Sequence, residues 1–307
     1  MTHTKSSDLQ SRVGTVIADR YRLQKLLGEG GIGAVYLAES LADRSRVAVK
    51  LLRSEYTSDH EVLARFDREA RVMTALVHEH IVRAWEFGRL PNGDVALVME
   101  LVDGESLRAV YGHTRPLHPI VALEVARQLG GALAHAHAQG VVHRDLKPEN
   151  IMVRRQPDGS PFIKVLDFGM ARLLFGQGTP LTAKGAVFGT PEYMPPEQAT
   201  GRPVNAQADQ YAFGVIVFEM LSGKRPFKAN TPLEMLQMQI RQPPPMLTEL
   251  DPSIPPGVAQ AVYRMMAKRP EDRFEDIAVA ATTLLNTAWP TLRQSFPGLP
   301  PTPAPVR

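Results

Sequence analysis

The sequence predicts an α+β chain in which a small β-rich part with one helix precedes a larger helical part. Between Tyr21 and Val102 the apolar residues fall in short runs rich in β-branched and aromatic side chains, the signature of strands. From about Leu107 onward they recur at helical spacing. At 307 residues the chain is long enough for one large domain or two modest ones, and it carries no internal repeat.

Taken in order, residues 1–18 are polar and are expected to form a flexible lead-in. Strands are expected at Leu23–Leu27, Ala34–Ala38 and Arg46–Leu52, around Ile81–Gly88 and at Val95–Glu100, with Pro91-Asn92-Gly93 as a turn. Within Ile81–Gly88, Trp85 and Phe87 alternate with Ala84 and Glu86, as in a half-buried strand. Glu61 to Leu76 breaks the pattern: Val62, Phe66, Ala70, Met73 and Leu76 fall at helical spacing. Ile120–Gln139 and Ala206–Ser222 are the clearest helices, followed by Thr231–Arg241, Pro256–Ala267 and Glu275–Ala288. From Trp289 the chain turns Pro-rich, the composition of a tail or linker. The expected boundaries are therefore 1–18 for the lead-in, about 19–102 and 103–288 for the two parts, and 289–307 for the tail.

Composition excludes several classes. Thirty-five basic residues against 32 acidic ones give a net charge of +3, with no concentrated Lys/Arg stripe, so no nucleic-acid partner is expected. The absence of cysteine removes disulfides, thiol catalysis and cysteine metal sites, and fits a reducing compartment. The first ten residues lack the apolar core of a signal peptide. The most apolar runs, Val95–Val102 and Val215–Leu221, are short and carry Glu100 and Glu219, so no membrane span is expected in them. His135 and His137 lie two apart on a predicted helix, where their rings diverge, which disfavours a metal pair.

Four motifs carry chemistry. Gly28-Glu29-Gly30-Gly31-Ile32-Gly33 is a G-x-G-x-x-G. By itself it fits a dinucleotide fingerprint, a phosphate cover or a plain turn. The dinucleotide reading needs the glycines to open a helix, whereas a strand-like run, Ala34–Ala38, follows them here. A glycine turn between antiparallel strands lets backbone N–H groups approach phosphate oxygens. Second, Val47-Ala48-Val49-Lys50 ends an apolar strand on a lysine, which Glu69 in the next predicted helix could hold toward α- and β-phosphates. The third and strongest is His143-Arg144-Asp145-Leu146-Lys147-Pro148-Glu149-Asn150. Its aspartate can accept a hydroxyl proton, its lysine can reach a transferring phosphoryl group, and its asparagine can ligate a metal. Fourth, Asp167-Phe168-Gly169 follows the apolar Phe162–Leu166 and offers a hard oxygen ligand suited to Mg²⁺.

In this order and spacing the motifs resemble those of the eukaryotic-like serine/threonine protein kinases, over about Tyr21 to Ala288, and most resemble bacterial members, many of them cytoplasmic parts of membrane receptors. Gly189-Thr190-Pro191-Glu192-Tyr193-Met194 resembles the end of an activation segment, Asp209–Gly214 the start of the large buried helix, and Arg273 the arginine that pairs with the segment's closing glutamate, here Glu197. The resemblance implies the two-lobed protein kinase fold, with ATP and Mg²⁺ (or Mn²⁺) as cofactors and protein Ser/Thr hydroxyls as acceptors. It implies Asp145 as base, Lys147 on the transferring phosphoryl, Asn150 and Asp167 on the metal, and Lys50 with Glu69 on the phosphates. Nucleotide contacts would come from Leu27, the glycine loop 28–33 and Ala34. Val35, Ala48 and Met152 would sandwich the adenine, the backbone of Glu100 and Val102 would bond it, and Met99 would sit at the gatekeeper position. The departure is Pro195-Pro196-Glu197 where the family usually has Ala-Pro-Glu, a proline that fixes φ and removes a donor.

Regulation is implied as well. Arg144 matches an arginine that pairs with a phosphorylated residue of the activation segment, and Thr182, eight residues before Thr190, matches an activating threonine, with Lys184 where a second threonine often stands. The expectation is self-phosphorylation of Thr182, in trans within a homodimer, in a cytoplasmic protein or the cytoplasmic part of a receptor. Two competing readings are a catalytically weak scaffold, which the complete catalytic set disfavours, and a small-molecule phosphotransferase, which seldom has a full segment ending in Pro-Glu.

Overall fold

The computed structural model describes residues 9–30, 33–52, 73–90, 95–112, 115–168, 190–295 and 306. The chain divides into two compact units, Met1–His78 with Val82–Val102, and Glu79–Ile81 with Asp103–Arg307. Expectations for Gly31, Ile32, the helix carrying Glu69, the turn at 91–93, Gly169 and Thr182 lie outside the described residues.

Among its described residues the first unit carries a six-stranded antiparallel sheet in the order β1-β2-β3-β4-β6-β5. Its strands are β1 (Val16–Ile17), β2 (Tyr21–Glu29), β3 (Gly33–Ser40), β4 (Arg46–Leu52), β5 (Ala84–Arg89) and β6 (Val95–Glu100). β4 is buried at every position but Arg46, which is why its sequence is a continuous apolar run rather than an alternation. The core gathers Leu23, Tyr36, Val49 and Val98.

Three expectations are corrected in this unit. The lead-in is folded from Leu9 onward: Leu9 and Val13 pack on the sheet core and Ile17 is part of it, while the Tyr36 hydroxyl donates to the Leu9 carbonyl at 2.9 Å. Leu9 lies in a short helical turn, Val13 in the turn that follows and Ile17 in β1, so these three apolar residues share no single periodicity and stand in polar surroundings. The strand expected from Ile81 starts at Ala84, because Ile81 bridges Val165 inside the second unit. Trp85 is 44% exposed and Ala84 is the buried residue, so the alternation runs in the opposite phase, beside a register irregularity between Ala84 and Glu86.

The second unit carries a small sheet, β7 (Glu105–Ser106), β8 (Ile151–Arg155) and β9 (Pro161–Val165). Among its described residues the helices are α1 (Leu107–Tyr111), α2 (Pro119–Ala138), α3 (Pro196–Ala199), α4 (Ala206–Ser222), α5 (Pro232–Arg241), α6 (Leu247–Leu250), α7 (Pro256–Met265) and α8 (Ile277–Ser295). α4 is buried from Ala208 through Leu221. Its apolar residues surround the axis, as in the central helix of a domain. The Asn205 side chain caps its N-terminus and Gly223, at φ 68°, ends it. Thr231 caps α5 by accepting from the Glu234 N–H.

The expected tail is also corrected. α8 continues past Ala288 to Ser295 with Pro290 inside it, and Trp289 and Leu292 are buried. Proline removes one helical hydrogen bond, and burial of the two neighbouring apolar side chains outweighs that loss.

Candidate functional site

In the first unit the candidate nucleotide residues are ordered by strand register. β3 and β4 set Val35 opposite Lys50 and Leu37 opposite Ala48, and β4 and β6 set Ala48 opposite Met99. Ala48, Lys50 and Met99 are buried, while Val35, Glu100 and Val102 are half-buried. The Glu100 N–H donates to the Arg83 carbonyl at 3.0 Å, so that N–H is already committed. In the glycine loop the Gly30 N–H donates to the Gly33 carbonyl at 2.9 Å. A Cβ on Gly33 would stand 2.1 Å from the Leu51 carbonyl oxygen, so that glycine is required by strand packing. Leu27 is exposed and Ala34 buried.

In the second unit the octapeptide is braced through its backbone. Asp209, in the first turn of α4, accepts the N–H groups of His143 (2.8 Å) and Arg144 (2.9 Å) and bonds His137 Nε2 (2.7 Å). Burial alone would raise this carboxyl. The His137 bond and charge, with His143 and the Arg144 N–H, more than offset it and hold the group below the usual carboxylate range. The Arg144 carbonyl accepts from Gln198 at 3.1 Å. Arg144 can thus sit at φ 68°, and Asp167 sits at 58°; both are left-handed conformations that non-glycine residues seldom adopt. The two histidines of the His-x-His pair have separate partners, His137 on Asp209 and His135 on Gln139, as their divergence on α2 predicts.

The chemistry-bearing side chains then converge. Lys147 Nζ is 2.7 Å from Asp145 Oδ2. Asn150 Nδ2 donates to the Asp145 carbonyl at 2.8 Å, and its own carbonyl accepts from the Leu166 N–H at 2.8 Å, which ties the loop to the residue before Asp167. His143 Nε2 bonds the Leu166 carbonyl, also at 2.8 Å, and its ring leans on Phe168. With Nδ2 committed, Asn150 Oδ1 is the atom it offers a metal. Asp167, the residue after Leu166, would add a carboxylate, and such hard oxygens fit in kind a magnesium-like ion completed by phosphate oxygens. Among the described residues no three His, Asp or Glu side chains gather as a metal cage.

Thr190 and Tyr193 join Arg144, Asp145 and Leu146 in lining one small recess. Glu197 and Arg273 form the expected pair, bidentate at 2.8 and 2.9 Å and fully buried at the arginine.

One cluster escaped sequence reasoning. Arg108 of α1 donates to Glu219 of α4 at 2.7 Å and to Glu149 of the octapeptide at 2.9 Å, and it also bonds the Tyr193 hydroxyl. Tyr193 in turn donates to Glu219, and Arg225 holds Glu192 at 2.9 Å. Its members are scattered from 108 to 225, and the available signal was a charged residue, Glu219, inside the apolar run Val215–Leu221.

A β-sheet unit followed by a helical unit that presents Asp145, Lys147, Asn150 and Asp167 in this arrangement is the protein kinase fold. Residues 21–289 match the family described as "Protein kinase domain", and the chain belongs to that family, which uses ATP and a divalent metal. It is 42% identical to serine/threonine-protein kinase Pkn1 of Myxococcus xanthus over 86% of this chain and 38% of that protein. It is 40% identical to serine/threonine-protein kinase PknA of Mycobacterium tuberculosis over 87% of this chain and 61% of that one. The chain thus spans less than two thirds of these curated relatives. The solved Mycobacterium tuberculosis PknI kinase domain superposes with a TM-score of 0.70 at 26% identity, covering 90% of this chain and 99% of that domain. Among the described residues no helix is long and apolar enough to cross a membrane.

Proposed function

We propose that the chain is an active serine/threonine protein kinase that transfers the γ-phosphoryl group of ATP to Ser or Thr hydroxyls of proteins. The observation that carries this reading is the junction of Asp145, Lys147 and Asn150, with Lys147 Nζ 2.7 Å from the Asp145 carboxylate and Asn150 donating to the Asp145 carbonyl. Asp145 accepts the proton of the acceptor hydroxyl, and Lys147 stands beside it to neutralise charge on the transferring group. Asn150 and Asp167 would hold Mg²⁺, with Mn²⁺ as the alternative ion, which would supply positive charge against the phosphates. Lys50, paired with Glu69, orients the α- and β-phosphates. The glycine loop with Leu27 and Ala34 covers the nucleotide; Val35, Ala48 and Met152 take the adenine faces, and Met99, Glu100 and Val102 its edge. Most of the catalysis is positioning and charge stabilisation.

The same reading assigns self-phosphorylation in trans to Thr182, whose phosphate would pair with Arg144, and places the protein in the cytoplasm. Chain incubated with radiolabelled ATP, Mg²⁺ and a generic basic protein should label Ser and Thr residues, Thr182 among them. Asp145→Asn should cut labelling by about 10³-fold or more while retaining ATP binding. Wild-type chain that binds ATP and labels nothing would instead favour the scaffold reading.

A further inference from the structure

The turn Pro191–Tyr193 is held from two directions within the second unit. The cluster of Arg108, Glu219 and Arg225 grips the side chains of Tyr193 and Glu192. From α5, Gln239 grips the backbone: its Nε2 donates to the carbonyls of Pro191 at 3.1 Å and Glu192 at 2.5 Å. Gln239 is fully buried, at 0% exposure, and its Oε1 accepts the Tyr211 hydroxyl at 2.5 Å.

The direction of this chain of bonds is dictated by the turn, whose backbone carbonyls can only accept and so take the Gln239 amide hydrogens. Lys268 Nζ lies 2.9 Å from the Tyr211 hydroxyl oxygen and 2.9 Å from the Gln239 backbone carbonyl. Tyr211 therefore turns its own hydrogen toward Gln239, and its oxygen accepts from Lys268. Gln239 must then present its carbonyl oxygen to Tyr211 and both amide hydrogens to the turn. Neighbouring apolar residues Met235 and Leu236 already bury this face of α5, so packing alone does not call for a glutamine at 239. A glutamine supplies two directed donors to an irregular stretch of backbone: it joins the Met194 N–H (3.3 Å) on the Pro191 carbonyl and adds a donor to that of Glu192.

We propose that Gln239 is a positioning residue for the protein substrate, fixing the Pro191–Glu192 backbone and through it Thr190 and Tyr193, which line the recess beside Asp145. The inference rests on the kinase reading above. Gln239 is absent from the recess lining, so it acts through the turn.

The test compares wild type, Gln239→Met and Tyr211→Phe in steady-state phosphorylation of histone by the full chain, with separate KM values for histone and ATP and a thermal melt for each protein. Gln239→Met should raise the KM for histone about tenfold and leave the KM for ATP within about twofold. Tyr211→Phe keeps the ring and removes only the hydroxyl that orients the amide, so it remains informative if Gln239→Met folds poorly. It should raise the histone KM about threefold with the same indifference to ATP. Turnover that falls only with the folded fraction, both KM values staying put, would reduce Gln239 to packing and overturn the inference alone. Wild type that binds ATP but labels no histone would overturn the kinase reading and this inference together.

Discussion

The sheet of the first unit and the helical second unit place their candidate residues by different means. In the sheet each residue is fixed by its strand neighbours: Ala48 faces Met99, and Lys50 faces Val35 and Leu97, across consecutive ladders. In the helical unit the octapeptide is fixed by Asp209, 66 residues from His143, and the end of the segment at Glu197 by Arg273, 76 residues away. Register is a collective property of many weak backbone bonds, so one side chain seldom controls it. A buried polar anchor is a single point on which a whole loop depends. Substitutions at anchors should therefore act globally, and substitutions in the sheet locally.

The largest effect is expected at Arg273. Besides both Glu197 oxygens it donates to the carbonyls of Ala267 (2.9 Å) and Gln207 (2.7 Å). Arg273→Met leaves the Glu197 carboxylate buried without its partner, which should cost about 3–5 kcal/mol in chemical denaturation. Adding Glu197→Met should recover part of that loss, because the uncompensated charge goes too. A single-variant cost below about 1 kcal/mol would mean that the anchor is replaceable and that the contrast with the sheet is wrong.

Gly33→Ala probes the sheet. The new Cβ meets the Leu51 carbonyl oxygen at 2.1 Å, and backbone cannot yield as a flexible side chain would. The expected cost is about 1–3 kcal/mol, with a raised KM for ATP in protein that still folds. Gly28 has nothing within 4 Å of its added Cβ among the described residues, and Gly30 meets its nearest atom at 3.9 Å. Alanine at either should leave the melting temperature near wild type. If those variants also raise the KM for ATP, the glycines there serve close approach of phosphate; if Gly33→Ala melts like wild type, the packing reason for Gly33 fails.

The same contrast explains what the sequence disclosed. Strands β2–β4 and β6 and helices α2, α4, α5 and α7 were legible because their apolar periodicity is local, and the octapeptide because its chemistry is contiguous. The Glu197–Arg273 pair was reached through family resemblance, with nothing in its local pattern to show it. The folded stretch from Leu9 was missed because only Leu9, Val13 and Ile17 stand out in it, and the extension of α8 because Pro290 carries a helix-ending signal that the burial of Trp289 and Leu292 overrides. The Arg108 cluster and the Lys268–Tyr211–Gln239 chain were illegible for one reason: each joins, by side-chain atoms, residues far apart in the chain, and no one-dimensional spacing encodes such meetings.

The smallest effect expected is a pH dependence at Lys268, which sharpens the idea of a directed anchor. Burial first, and then the Arg273 charge, push its ammonium down to about 7. Tyr211 and Phe227 oppose this by presenting ring faces to it at 5.2 and 4.6 Å. In the unfolded chain the group returns to the ordinary lysine value near 10.5. Between those two values the unfolded state binds a proton that the folded state lacks, so stability contributed by this group rises with pH across the window; below about 7 both states are charged and the slope vanishes. The rise should stay well under the roughly 1.4 kcal/mol per pH unit that one proton allows, since the side chain is half-buried and the rings favour its charged form. Lys268→Met should flatten the wild-type stability profile between about pH 7 and 10, and an unchanged slope in that variant would place the titration on another group. The uncharged amine still donates to Tyr211, so the orientation of Gln239, and with it the KM for histone, should hold across the same window even as stability changes.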